Sequence, residues 1–394
     1  MNRSVYSEFV SRINKNLPVI HLVTGARQVG KTTMMLEYTK ENPNASYYSA
    51  DDFPQLLPSY IDMVWEKERD LVHSTKTQRV LIIDEIQKVS GWQQSVKKNW
   101  EQDKRNGLSL QVVLTGSSRL LLQYNNEETL SGRFLPLYVP HWSFSEMEQV
   151  FGFTFEQYVF YGGYPGSVPF IQEEKLWRNY VVNSLIEPAI GQDILMLTPV
   201  LKPSLLRRLF DLSSMMSSQV VSFQKLIGQL QDAGNTSTLA NYLNLLDQAC
   251  LVTGLEKYSG GKVAEKNSIP KLQVYNNAFL AAKSGTSFDK ARNDAPLWCR
   301  LVEASIGSSL VNWTRANEAK LLYWKDGNYE VDYVVIYQDQ VFAIEVKSGH
   351  QNNTRGLEEF HKQYPNSKCL LISEEDSIGI KASDFIRSIG SYIY

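Results

Sequence analysis

The residues best placed to do chemistry are a lysine and a threonine that close Gly25-Ala26-Arg27-Gln28-Val29-Gly30-Lys31-Thr32, a stretch that fits G-x-x-x-x-G-K-[ST] throughout. Glycines there let successive backbone N–H groups turn into one concavity, and a helix starting at its rim adds the positive end of its dipole. Phosphate oxygens bind in such a nest. Lys31 would meet the β- and γ-phosphates of a nucleotide, with the cradle extending to Thr33, and the Thr32 hydroxyl would complete the coordination of a Mg²⁺ that the nucleotide carries. A second element supplies acid: the apolar run Val80-Leu81-Ile82-Ile83 ends in Asp84-Glu85. Asp84 would hold Mg²⁺, directly or through water. Glu85, free of the metal, would act as general base on the attacking water.

These side chains need a sheet and its helices to bring them together. Val19 to Val23 reads as the strand before the loop, and Met34-Met35-Leu36-Glu37 as the helix after it. Unbroken apolar runs such as Val80 to Ile83 and Leu110 to Leu114 are the pattern of strands buried on both faces of a parallel sheet, whose ligands lie at the strands' carboxyl ends. A helix from Ser4 to Asn16, with Val5, Phe9, Val10 and Ile13 on one face, would pack beside the nucleotide. Ala45 to Ala50 reads as a second strand, followed by a helical stretch to about His73 and, after the acidic pair, a helix from Trp92 to Glu101. Leu110 to Leu114 ends in Thr115-Gly116-Ser117-Ser118. Thr115 either offers its hydroxyl to the attacking water or the γ-phosphate, or simply begins a turn. A helix from Arg119 and a last strand, Leu135 to Val139, complete the sheet.

At 394 residues, with 43% hydrophobic and 21% charged residues, the chain has the composition of a globular protein of two to four domains. Its formal charge of −2 supplies no global attraction to nucleic acid or to an anionic membrane. Cys250, Cys299 and Cys369 are isolated and odd in number, against a disulfide framework or a zinc site; reduced, buried thiols are expected. No apolar signal-peptide core and no membrane-spanning run is present, so the expected compartment is the cytoplasm and no membrane partner is expected.

Taken together, Gly25 to Thr32, Asp84-Glu85-Ile86-Gln87 with Trp92 beyond it, Thr115-Gly116-Ser117-Ser118, Ser131-Gly132-Arg133 and Gly162-Gly163-Tyr164-Pro165 carry a resemblance. The order resembles the AAA-type P-loop ATP-binding proteins of bacteria and archaea that carry a C-terminal domain of unknown function with a restriction-endonuclease-like core. The resemblance implies an α/β fold: an AAA-type parallel sheet (1–141), a helical lid (142–200), a winged-helix-like connector (201–266) and a nuclease-like α/β domain (267–394). It also implies that Arg133 acts as a finger onto a neighbouring subunit's nucleotide in a homo-oligomer; the alternative is a structural salt bridge. Gly162-Gly163 would serve as a lid hinge.

In the connector, Phe223 to Leu230 and Thr236 to Gln248 read as helices. The second carries an apolar stripe of Leu239, Tyr242, Leu243 and Leu246 and neither Arg nor Lys, which favours protein packing over duplex reading. Lys257, Lys262, Lys266 and Lys271 give the wing a modest basic character. Where the family has Asp-x-Gly, this chain has Asn276-Asn277-Ala278. Asp332, Glu345 and Lys347 match the family's D…E-x-K pattern. Residues two apart on a strand share a face, so Glu345 and Lys347 point together. Asp332 and Glu345 could hold a second Mg²⁺, with Glu303 adding a ligand and Lys347 stabilising charge on a phosphorane. Two wider roles follow: an ATPase coupled to an enzyme acting on nucleic acid, or a nucleotide-dependent switch or scaffold whose C-terminal domain only binds a protein partner.

Overall fold

The computed structural model describes residues 3–52, 57–116, 132–196, 198–230, 234–260, 269–347, 354–374 and 379–394. Ser117, Ser118, Ser131, Lys262 and Lys266, and the helix expected from Arg119, lie outside them. The chain divides into two compact units, Met1–Val139 and Pro140–Tyr394.

In the first unit, β1 (Ile20–Gly25), β2 (Ala45–Ser49), β3 (Arg79–Asp84), β4 (Leu110–Thr115) and β5 (Phe134–Val139) form one sheet in the order β2-β3-β4-β1-β5. Every pairing is parallel. Each residue of β1 and β3 is buried, as expected of strands covered on both faces. The helices are α1 (Ser4–Asn14), α2 (Lys31–Glu41), α3 (Ser59–Thr75) and α4 (Trp92–Asn106). Trp65 and Ile61 of α3, with Trp92 and Val96 of α4, close one face of the sheet around Ile83, Leu81 and Leu114. The two helices are tied by Asp103, which accepts from Trp65 Nε1 and Arg69 Nε, each at 2.6 Å. Helix α1 buries Val5, Tyr6, Phe9 and Ile13; Tyr6 takes the place expected of Val10, because its ring packs inward while its hydroxyl reaches Glu41.

The second unit begins with two helices, Phe144–Phe151 and Phe155–Tyr161, each opened by a reciprocal capping box, Ser143 with Glu146 and Thr154 with Gln157. Glu174–Tyr180 runs on into wider π-type turns over Val181–Ile186 and Ala189–Leu195. Gly162 and Gly163 are closely packed: a Cβ at Gly162 would collide with Asn276, and one at Gly163 with the Trp142 carbonyl, and Gly162 has φ 71°, a conformation that favours glycine. The connector helices form at Phe223–Gln229 and Thr236–Gln248, and the stripe Leu239, Tyr242, Leu243, Leu246 is buried. Strands β6 (Val252–Leu255) and β7 (Lys271–Val274) pair antiparallel.

After two short helices, Asn277–Ser284 and Phe288–Asn293, comes the 22-residue helix Ala295–Ala316, capped by Asp294. It is followed by β8 (Lys320–Asp326), β9 (Tyr329–Tyr337) and β10 (Gln340–Lys347), an antiparallel meander. Helix Arg355–Gln363 then leads to β11 (Lys368–Ser373), which pairs parallel with β10, and β12 (Ile380–Lys381) closes the sheet. Trp324, Val331, Val334, Ala343 and Phe360 form its core. Cys250 is buried, whereas Cys299 is half-buried and Cys369 exposed, so the expectation of three buried thiols holds for Cys250 alone. Among the described residues no helix is long and apolar enough to cross a membrane.

Candidate functional site

Strand β1 delivers the glycine loop directly into α2. Gly30 stands at the helix cap with φ 96°, a conformation an L side chain resists, and Gly25 lies so close to the Val139 carbonyl that a Cβ would collide with it. Gln28 also takes a left-handed conformation, exposed at the loop tip. Ala26 and Val29 are buried, Arg27 is half-buried, and Thr32 and Thr33 are exposed on the first turn of α2. The buried Lys31 ammonium donates to the carbonyls of Ala26 at 2.7 Å and Gly25 at 3.1 Å. Arg3, itself buried, donates to the Val29 carbonyl at 2.7 Å and so fastens the start of α1 to the loop.

Asp84 lies at the end of β3, facing this loop. Its Oδ2 accepts from the Thr32 hydroxyl at 2.7 Å and the Tyr47 hydroxyl at 2.8 Å; its Oδ1 accepts from the Glu85 N–H at 3.0 Å and from the Thr115 hydroxyl. Thr115 is thus fully buried and positions a carboxylate, a third role beside the two expected of it. Glu85 has φ 55°, which is uncommon for a non-glycine residue and recurs at functional sites. Its Oε2 accepts from Gln87 Nε2 at 2.6 Å.

Tyr47 was not foreseen. Burial first, then the charge of Asp84, pushes its pKa up, so the phenol stays protonated and donates. The available signal was a pair of tyrosines on the strand beside the acidic one; choosing between them needs the register Tyr47↔Ile82, which puts Tyr47 on the loop side.

Arg133 lies just before β5, and its carbonyl accepts from Ile20 at the start of β1. Its guanidinium pairs with Glu101 at 2.7 Å. The six residues of β1 separate that end of the sheet from the phosphate loop by about 17 Å, so Arg133 does not serve its own chain's loop.

In the second unit, Lys347 Nζ lies 2.6 Å from Glu345 Oε1, the same-face arrangement that the spacing implies. Asp332 Oδ2 accepts from the Val346 N–H at 2.9 Å. Glu303 and Asp332 both bind the ammonium of Lys271, at 2.9 and 3.2 Å. Lys271 is completely buried, which corrects its assignment to a basic wing surface; β7 carries it inward, under the Tyr333 ring at 4.7 Å. Burial alone would push its pKa down, but the two carboxylates more than offset this and hold the ammonium well above its usual value. Burial, with the charge of Asp332 adding to it, pushes Glu345 up to about 7. Among the described residues no group of three or more His, Cys, Asp or Glu side chains is arranged to hold a metal ion.

Residues 18–148 match the model of an AAA domain. This part of the chain is an AAA-type ATP-binding domain. Residues 152–290 and 299–392 match two domains of unknown function, DUF8612 and DUF4143. An uncharacterized protein of Haemophilus influenzae is 22% identical over 264 residues, 62% of this chain and 64% of that protein's length. The chain thus spans less than two thirds of that relative. Uncharacterized protein MJ1544 of Methanocaldococcus jannaschii is 20% identical over 371 residues, 89% of this chain and 79% of its own. Among solved structures, the Walker-type ATPase PABY2304 of Pyrococcus abyssi covers 72% of this chain and 95% of its own, with 15% identity and a TM-score of 0.49. AMPPCP-bound DnaA from Aquifex aeolicus covers 62% of this chain and 86% of its own, with 13% identity and a TM-score of 0.32.

Proposed function

We propose that the first unit hydrolyses ATP. Lys31 and the backbone from Gly25 to Thr33 hold the phosphates, Thr32 and Asp84 hold Mg²⁺, and Glu85 takes a proton from the attacking water as its oxygen bonds to the γ-phosphorus and ADP leaves. The observation that carries this reading is the set of donors around Asp84. Among the described residues three hydroxyls and one backbone N–H fix the carboxylate in place, and all four are neutral. Neutral donors orient a carboxylate without cancelling its charge, which suits a ligand that is to receive a cation. Held by Thr32 and Asp84, Mg²⁺ would supply positive charge to offset the negative charge that develops on the phosphate oxygens. Phosphate release measured with Mg²⁺ and with EDTA tests the proposal: Mg²⁺-dependent turnover that Glu85→Gln removes is expected, and no turnover in the unaltered chain would retire it.

Around this ATPase we propose the four-part division at residues 141, 200 and 266, with Arg133 reaching a neighbour's nucleotide in a homo-oligomer. For residues 267–394 the D…E-x-K spacing supports a nuclease-like module. Lys271, set between Glu303 and Asp332, favours the other reading, a nucleotide-dependent switch whose C-terminal module binds a protein partner.

A further inference from the structure

The carboxylates that would hold a second metal in a nuclease-like centre already face a cation of the chain's own. We propose that Lys271 is the permanent cation of this centre, filling with its ammonium the place where such a centre would take a divalent ion, so that the C-terminal module of this chain is independent of metal.

Three observations carry this. First, the ammonium is saturated by position: Glu303 Oε1 and Asp332 Oδ1 take two of its three N–H groups, and the Tyr333 ring face lies beside the cation. Second, the remaining oxygens do not add up to a metal site. Asp332 Oδ2 is engaged by the Val346 N–H and Glu345 Oε1 by Lys347, while Glu345 Oε2 is buried with no partner among the described residues. Among the described residues no three His, Cys, Asp or Glu side chains are arranged around a metal position. Third, Lys271 has nowhere to withdraw. Its backbone pairs with Leu255 in β6 and bridges to Val220, and its side chain has no exposed surface, so a metal that displaced the ammonium would leave it buried without a counter-charge.

The proposal concerns the C-terminal module alone and stands whether or not the first unit hydrolyses ATP. Mn²⁺ bound per chain, counted by electron paramagnetic resonance on the full chain without nucleotide, tests it, with Asp84→Asn in every sample to silence the first site. Asp332→Asn should bind as many Mn²⁺ ions as the chain with Asp332 intact. Lys271→Ala should gain one, and Lys271→Ala with Asp332→Asn should lose it again. Loss of a bound Mn²⁺ on Asp332→Asn alone would overturn the proposal, and so would a folded Lys271→Ala that gains none. Should Lys271→Ala fail to fold, the comparison at Asp332 decides by itself.

Discussion

Asp84 and Asp332 are both buried or half-buried aspartates near the end of a strand or its partner, and both are held by several donors, yet the donors differ in kind. Around Asp84 they are hydroxyls and a backbone N–H; around Asp332 and its neighbours they include the ammoniums of Lys271 and Lys347. A hydroxyl satisfies the lone pairs of a carboxylate and leaves its charge in place, whereas an ammonium satisfies both. The first arrangement must draw positive charge from outside, and the second carries its own. Each of the following experiments tries to break that contrast, beginning with the largest effect.

If the first centre depends on borrowed cations, the last of them is an arginine from a neighbouring chain. Arg133→Ala should then lower turnover by about a thousandfold or more, the range for an arginine supplied across an interface. Turnover per chain should rise with protein concentration in the unaltered protein and stay flat in the variant. A rate independent of concentration in a protein shown to be monomeric would leave Arg133 as the partner of Glu101.

Within one chain, Lys31 and Glu85 should separate binding from chemistry. Lys31→Ala should abolish tight ATP binding, because the ammonium meets the phosphates already in the ground state. Glu85→Gln should keep binding and lose about a hundred- to ten-thousandfold in turnover, the usual worth of a general base. Equal ATP affinity in the unaltered chain and Lys31→Ala, measured by calorimetry, would sink the assignment of the loop.

Stability should show the same contrast from the other side. Lys271→Met strands the Glu303 and Asp332 carboxylates, and breaking a buried pair in this way costs about 3–5 kcal/mol. Asp84→Asn strands no charge, since its hydroxyl partners can rotate to other acceptors, and should cost far less. Adding Glu303→Gln and Asp332→Asn to Lys271→Met should restore much of the loss, because removing a whole buried ion set is often nearly neutral. Denaturant unfolding followed separately for each unit gives these numbers; equal costs for Lys271→Met and Asp84→Asn would erase the distinction.

The first centre was far more legible in the sequence than the second, and the reason is range. Gly25 to Thr32 is a contiguous motif whose strand and helix flank it, and Asp84-Glu85 announces itself by ending an apolar run. Local pattern therefore sufficed for β1, β3, β4 and the loop. Lys271 shows the limit. It precedes Leu272-Gln273-Val274 just as a surface lysine would, and its partners lie on a helix and a strand more than thirty residues further on. Only packing brings those three elements together, so nothing local separates a buried lysine from a basic wing. The close packing at Gly162 was hidden for the same reason: the neighbour it must clear, Asn276, is distant in the chain.

Tyr47 offers the finest test, because its neighbour is a built-in control. Both Tyr47 and Tyr48 stand on β2 and both donate to a carboxylate, Tyr47 to Asp84 at 2.8 Å and Tyr48 to Glu68 at 2.9 Å, on opposite sides of the sheet. Partners that orient a metal ligand are worth about ten- to a hundredfold in metal affinity, and a half-buried phenol that water can partly replace belongs at the low end. Tyr47→Phe should therefore raise the Mg²⁺ concentration for half-maximal turnover about tenfold, with little change at saturating Mg²⁺. Tyr48→Phe, which leaves the donors of Asp84 untouched, should not shift it. If both variants respond alike, the phenol acts through β2 as a whole and Asp84 is held by Thr32, Thr115 and the Glu85 N–H alone. If only Tyr47→Phe responds, an acidic side chain held in place by neutral donors is what this site uses to recruit its metal.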